Sequence, residues 1–274
     1  MPLTIAARQR IAGLLRKTGL LSLADRVLLV GEVVATWRPN RRFLAEHPGF
    51  PVPPIGPAFD AYNHTDWQQY HDSGALHARL VAQLMREHLR GDRLRICEWG
   101  CGPGRVIRHL RDALADRTVE LFGADYNPKS VAWCRKHLPG IDFRANGPAP
   151  PLPFEAGTLD ALYAISVFTH LSAEAHRPWI EELFRVVGDS GIVIFTTHGD
   201  ACLDRLLPHE QQQYRSGELV VRGGAVEGSK CFVAYHPPQY VRQHLLRGAR
   251  LLAHLPSPAA YQMVQDVWVA RKGA

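Results

Sequence analysis

The sequence predicts a doubly wound α/β fold: a mostly parallel sheet with helices on both faces, preceded by a helical segment. Three observations carry that expectation. Leu94 to Arg105 reads LRICEWGCGPGR, an apolar run that gives way to Gly100, Gly102 and Gly104 at every second position, as a buried strand does on entering a tight turn. Short apolar runs then alternate with stretches of helical spacing as far as Thr197, the pattern of a parallel sheet joined by crossover helices. Leu159 to Ser166 is apolar nearly throughout, as a central strand covered on both faces should be.

The elements follow in order. Ala7, Ile11, Leu14, Leu15 and Thr18 recur at helical spacing opposite Arg8, Arg10, Arg16 and Lys17, an amphipathic helix over residues 3–18. Leu20 to Trp37 is a second, more apolar helix, interrupted by Asp25, Arg26 and Glu32 and so unsuited to span a membrane. Six prolines from Pro39 to Pro57 predict an extended connector. A stretch dense in Tyr62, His64, Trp67, Tyr70 and His71 precedes a helix from about Ala75 to Leu89 and suits a lid over a ligand.

After the glycine turn, Val106, Ile107, Leu110 and Leu114 mark a helix packed on the sheet. Val119 to Ala124 forms the second strand and ends in Asp125; Asn127 and Pro128 then cap and start a helix to His137. Ile141 to Arg144 is the third strand, with Asn146 just beyond it, and residues 147–157 form a proline-rich loop. Ser172 caps a helix that buries Trp179, Leu183, Val186 and Val187. The turn GDSG at 188–191 leads into the fifth strand, Ile192 to Thr197. Leu203 to Leu207 and Pro238 to Leu246 read as helical, Val220 to Ala234 as strand and loop, and Leu251 to Leu255 with Val264 to Ala270 as two antiparallel strands.

Composition bounds the function. With 274 residues and 46% hydrophobic content the chain can bury a full core. Its five cysteines form no C-x-x-C pair, and its fourteen histidines include no H-E-x-x-H, so a reducing cytoplasm is the expected compartment and no metal site is expected. The whole net charge of +6 is carried by residues 1–42. A solvated helix face accounts for that segment, with a peripheral membrane or other acidic-surface contact as the functional alternative. Two units are expected: an N-terminal helical segment and lid over 1–85, and the α/β domain over 86–274. The sequence leaves the oligomeric state open.

A glycine turn alone fits many ligands, and its neighbours narrow the choice. The dinucleotide fingerprint G-x-G-x-x-G would require glycine at 105, which is Arg105. The spacing is instead E-x-G-x-G-x-G, led by Glu98, a carboxylate unwelcome beside a pyrophosphate but suited to loop N–H groups or a cationic ligand end. Asp125 follows Gly104 by 21 residues, close to the roughly 20-residue gap at which an acid at the end of a second strand reaches ribose hydroxyls.

Through EWGCGPG, GADYNP, Asn146, FEAGTLDALYAISVFTHL and GDSGIVIFTTHG, the chain resembles the class I S-adenosylmethionine-dependent methyltransferases from about Leu94 to Lys272. FTHL and TTHG are further similar to small-molecule enzymes of bacteria. The resemblance implies a Rossmann-like, seven-stranded sheet with a reversed last hairpin, and S-adenosylmethionine as cofactor. It implies that Glu98, Gly100, Cys101, Gly102 and Gly104 hold the methionine portion. Asp125 takes the ribose, Tyr126 lies against the adenine, Asn146 accepts from the adenine amine where the family often has Asp, and Ser166 lines the cofactor. Arg105 and Tyr70 approach the cofactor carboxylate.

Methyl transfer from a sulfonium requires alignment and exclusion of water, and an alcohol acceptor gains from a base of near-neutral pKa. His170 and His198, after the fourth and fifth strands, are the candidates, His170 first. The Asn/Asp-Pro-Pro-aromatic signature of amide and base nitrogen methylation is missing after the fourth strand. The expected reaction is therefore O-methylation of a small-molecule acceptor, a sugar, polyol or natural product, with no nucleic acid. N-methylation of a small molecule and a cofactor-binding protein without catalysis are the alternatives.

Overall fold

A computed structural model describes residues 21–273; the helix expected over 3–18 lies outside them. The elements are α1 (Leu21–Glu46), α2 (Ile55–Tyr62), α3 (Trp67–His88), β1 (Arg93–Trp99), α4 (Ile107–Ala113), β2 (Thr118–Asp125), α5 (Pro128–His137), β3 (Ile141–Ala145), β4 (Leu159–Ala164), α6 (Ala173–Val186), β5 (Val187–Thr197), α7 (Pro208–Arg215), β6 (Val220–Arg222), β7 (Val233–Tyr235), β8 (Ala249–Leu255) and β9 (Asp266–Lys272). Seven strands form one sheet in the order β3-β2-β1-β4-β5-β9-β8. The first five are parallel, and β9 enters antiparallel between β5 and β8. This is the Rossmann-like sheet with its reversed hairpin.

Alternation along the strands divides the core into two layers. Ile96, Leu121, Ile192 and Ile194 pack with Leu80, Val81, Leu84 and Met85 of α3 and with α4. Cys97, Trp99, Phe122, Leu162, Val193 and Phe195 face the other way, onto Trp179 and Leu183 of α6. The strand C-termini therefore lie between two filled layers, and the chain order reverses between β1 and β4. That edge holds the ligand site in open α/β sheets.

Three expectations are corrected. The connector predicted from Pro39 does not start there, because α1 runs through Pro39 to Glu46. Proline removes one helical hydrogen bond, but the helix is pinned on both sides of it: Thr36 Oγ1 meets Thr65 Oγ1 at 2.9 Å and Asn40 Nδ2 donates to Thr65 O at 2.7 Å. Helix α3 starts at Trp67 rather than Ala75, since Asp66 caps it by accepting from Gln69 N at 3.0 Å. The GDSG turn is strand, as β5 begins at Val187 and a register shift between Leu159 and Ala161 absorbs the difference. The outward face of α1 leaves Leu23, Val27, Val30, Val34 and Trp37 each more than half exposed. No helix among the described residues is long and apolar enough to cross a membrane.

Candidate active site

A cavity of about 340 Å³ opens at the C-terminal ends of β1, β2 and β4. Its floor is the turn after β1. Gly100 has φ +72 and Gly102 φ +49, and a side chain at Gly100 would come within 2.4 Å of Val167 Cγ2. Both the left-handed backbone and the close approach demand glycine there. The turn is fixed to the neighbouring strand: Gly100 N donates to Ala124 O at 2.8 Å, and Gly102 N donates to Asp125 Oδ2 at 2.7 Å. Cys101 is buried in the turn, lines the same cavity, and is part of the packing below it.

Two carboxylates stand in the cavity wall with different environments. Glu98 Oε2 accepts from Ile107 N at 2.9 Å and from the Tyr163 hydroxyl at 3.0 Å. Burial pushes its pKa up to about 8, against the opposing pull of the Tyr163 hydrogen bond and the Arg105 charge. Burial also raises the Asp125 pKa, while the N–H groups of Asn127 and Gly102 oppose the shift. Asn127 N donates to Asp125 Oδ1 at 2.7 Å, so each Asp125 oxygen holds one backbone donor and keeps a free lone pair.

Tyr126 flanks Asp125, half exposed, and Asn146 lies across from it in the same cavity. Asn146 Nδ2 donates to Gly147 O at 2.7 Å, which orients the amide. Its Oδ1 is buried without a hydrogen-bond partner. An orphaned acceptor of this kind costs about 1–3 kcal/mol unless a ligand donor meets it. Ser166, at φ +61 just past β4, also lines the cavity. Its N–H is held by Thr196 Oγ1 at 2.8 Å and its hydroxyl by Gln265 Oε1 at 3.0 Å.

The two histidines differ. His170, in the turn Phe168–His170, lines the cavity. Its Nδ1 faces Phe232 O at 2.7 Å; a carbonyl can only accept, so Nδ1 bears the proton and Nε2 carries the lone pair. Burial lowers its pKa, and the Phe232 bond counters that. His198 lies outside the cavity wall. Its Nδ1 donates to Ala234 O at 3.0 Å and its Nε2 is taken by Gln265 Nε2 at 3.3 Å, while burial drops its pKa to about 4.

Tyr70 is placed away from the cavity, a correction to the expected contact with a ligand carboxylate. It is fully buried and its hydroxyl donates to Pro103 O at 2.8 Å, which buttresses the glycine turn from behind. Tyr62, rather than Tyr70, is on the cavity side. It lines the cavity, and its hydroxyl accepts from Arg105 N at 3.3 Å, leaving its own proton free. Arg105 lines the wall beside it, its guanidinium 5.3 Å from the Tyr62 ring and bonded to Ser73 Oγ at 3.1 Å. Of the aromatic-dense stretch, Tyr62 reaches the cavity because α2 ends there, where Asn63 turns left-handed at φ 60. Lys230 and Glu227, also in the wall, carried no signal in the sequence.

Residues 96–191 match the family described as "Methyltransferase domain". Among curated proteins, the tRNA N(3)-methylcytidine methyltransferase trm140 of Schizosaccharomyces pombe is 23% identical over 142 residues, 47% of this chain and 44% of that protein. The chain thus spans less than half the length of that relative. Among solved structures, an S-adenosylmethionine-dependent methyltransferase from Methanosarcina mazei aligns with TM-score 0.51 at 17% identity, covering 69% of this chain and 97% of the other. The complex between the Haloferax volcanii Trm112 methyltransferase activator and a methyltransferase aligns with TM-score 0.54 at 16% identity, over 80% and 97%.

Residues 96–191 thus match a methyltransferase domain, and the sheet that holds them has the fold of a solved S-adenosylmethionine-dependent methyltransferase. Three features of the cavity are compatible with that cofactor: Gly100 and Gly102 leave its floor open, Glu98 and Asp125 are buried acids in its wall, and Asn146 Oδ1 is an acceptor without a partner. The expectation of a small-molecule acceptor with no nucleic acid is corrected by the comparisons, since one relative acts on tRNA and one structural neighbour is assembled with a protein activator.

Proposed function

We propose that this domain transfers a methyl group from S-adenosylmethionine to a hydroxyl oxygen, with His170 as general base. The observation that supports this reading is the protonation pattern of His170. With Nδ1–H held by Phe232 O, the neutral ring keeps an Nε2 lone pair at the cavity wall. Bound S-adenosylmethionine supplies an electrophilic methyl on a sulfonium. The chain's own part is to align and to exclude water. The glycine floor, Glu98 and Arg105 hold one end; Asp125, Tyr126 and Asn146 hold the other; Ser166, kept in its left-handed conformation by Thr196 and Gln265, shapes the wall between. His170 Nε2 takes the acceptor's proton, and the Phe232 carbonyl steadies the imidazolium that results.

The tRNA relative supports RNA as the first acceptor class to examine, and a net charge of +6 favours a polyanion. The same relative favours a second reading, transfer to a base nitrogen, for which an sp² lone pair needs no general base. The test incubates the protein with methyl-labelled cofactor and bulk tRNA, then digests the product to nucleosides. Label on ribose, with His170→Ala lowering turnover about 10²-fold or more, is the expected result. Label on a base, or full activity of His170→Ala, overturns the hydroxyl reading. Label on neither, with protein fractions labelled instead, overturns the RNA acceptor.

A further inference from the structure

The segment 226–232, between β6 and β7, joins parts of the site that are otherwise separate. Gly228 N donates to His170 O at 2.9 Å, and the Tyr126 hydroxyl donates to Gly228 O at 3.3 Å. Glu227 Oε1 accepts from Ser172 N at 2.5 Å. Lys230 Nζ pairs with Asp25 Oδ1 of α1 at 2.9 Å, reaches Phe59 O of α2 at 3.3 Å and sits over the Phe59 ring. Phe232 ends the segment and supplies the carbonyl that takes the His170 proton. The chain therefore runs from Tyr126, at the end of β2, to the helices α1 and α2, with Glu227 to Cys231 forming cavity wall along the way.

The segment is built to move as a piece. Gly224 at φ +77 has nothing within 4 Å of where a side chain would stand, and Gly228 is left-handed at φ +84. Val226 is 79% exposed while Phe232 at the far end is buried, so the strip is anchored by apolar burial only at Phe232, and closure of the part before it depends on the polar ties just described. Lys230 is the strongest of them, an ion pair between side chains only 14% and 27% exposed.

We propose that residues 226–232 are a strap that opens for cofactor exchange and, on closing, fixes the proton on His170 Nδ1. Lys230 is its latch and a positioning residue for methyl transfer. The second half of this proposal rests on His170 being the base; the first half stands without it. An opened strap withdraws the Phe232 carbonyl, and the imidazole then loses the partner that selects its tautomer. Cofactor retention and readiness of the base thus share one device.

The test uses the full chain with Lys230→Met, which keeps the stem over Phe59 and removes the charge, alongside Asp25→Asn and Lys230→Arg. Dissociation of S-adenosylhomocysteine is followed by stopped flow, and the His170 tautomer by nitrogen-15 NMR, with thermal unfolding recorded for each variant. Lys230→Met and Asp25→Asn should each speed dissociation about tenfold, raise the cofactor KM more than they lower kcat, and convert His170 from one tautomer to a mixture. Lys230→Arg should restore both. Unchanged dissociation in folded variants overturns the latch. Faster dissociation with an unchanged His170 tautomer overturns the coupling. If His170→Ala keeps its turnover while Lys230→Met still speeds dissociation, the base assignment fails and the latch survives.

Discussion

The backbone N–H of Gly102 donates to Asp125 Oδ2 at 2.7 Å, so the glycine turn and the acid at the end of β2 are locked together before any ligand arrives. Asp125→Ala removes the acceptor for both Gly102 and Asn127. It should lower stability by about 2 kcal/mol and weaken S-adenosylmethionine binding about 100-fold, as loss of charge-assisted ribose bonds implies. Asp125→Asn, which keeps an acceptor oxygen, should lose less of both. Calorimetric binding and thermal unfolding on the same samples check this.

Glu98 should make cofactor binding pH-dependent. Its folded pKa of about 8 lies above the ordinary 4.5 because burial disfavours the charged form. A carboxyl raised in this way loses folding stability as pH climbs from the unfolded value through 8. A cationic amine beside it reverses the preference, so binding at pH 7 should release a proton and affinity should rise from pH 6 to 8, then level. Glu98→Gln should abolish the proton release, measured by calorimetry in buffers of different ionisation enthalpy. It should also raise the melting temperature of the ligand-free protein at pH 8, with no gain at pH 5.

Gly100 tests the floor of the cavity. Gly100→Ala places a methyl 2.4 Å from Val167 Cγ2 at a φ of +72. The strain and the clash together should cost about 2–4 kcal/mol. Val167→Ala in the same chain should relieve only the clash and recover about half of it. Recovery of the whole by the double variant, in urea unfolding, would show that the left-handed backbone carries no strain.

Asn146 should read the cofactor's base. Because Oδ1 is a buried acceptor without a partner, Asn146→Ala should weaken S-adenosylhomocysteine binding about tenfold. It should also erase the preference for that compound over the analogue with a 6-oxo group in place of the amine. Equal discrimination by the variant and the parent, in competition binding, would exclude the contact.

Much of this was legible in the chain because it depends on local backbone demands. Glycines 100, 102 and 104 announce a turn that side chains would obstruct, and the Asn127 to Pro128 pair announces the start of α5, where Asn127 Oδ1 accepts from Lys129 N at 3.0 Å. The last two strands were legible as short apolar runs near the C-terminus, and their place as a reversed hairpin was what the family resemblance implied. What escaped depends on tertiary contact. Pro39 reads as a stop until Thr65 pins both sides of it, and the aromatic-dense stretch pointed to Tyr70, whereas the cavity is lined by Tyr62 at the end of α2. Lys230 is silent in sequence because its partners Asp25 and Phe59 stand more than 170 residues earlier.

The aromatic packing beneath the cavity has an optical consequence. Trp99 and Trp179 both line it, buried, with ring centroids 4.4 Å apart, while Trp37 stands 55% exposed on the far face of α1. Of the six tryptophans, the buried pair Trp99 and Trp179 should change emission when an adenosyl ligand enters, whereas exposed Trp37 should not, and Trp67, Trp133 and Trp268 lie outside the cavity lining. Acrylamide reaches Trp37 and spares the pair. Intrinsic fluorescence can thus follow occupancy of the site without any label, against an internal reference in the same molecule.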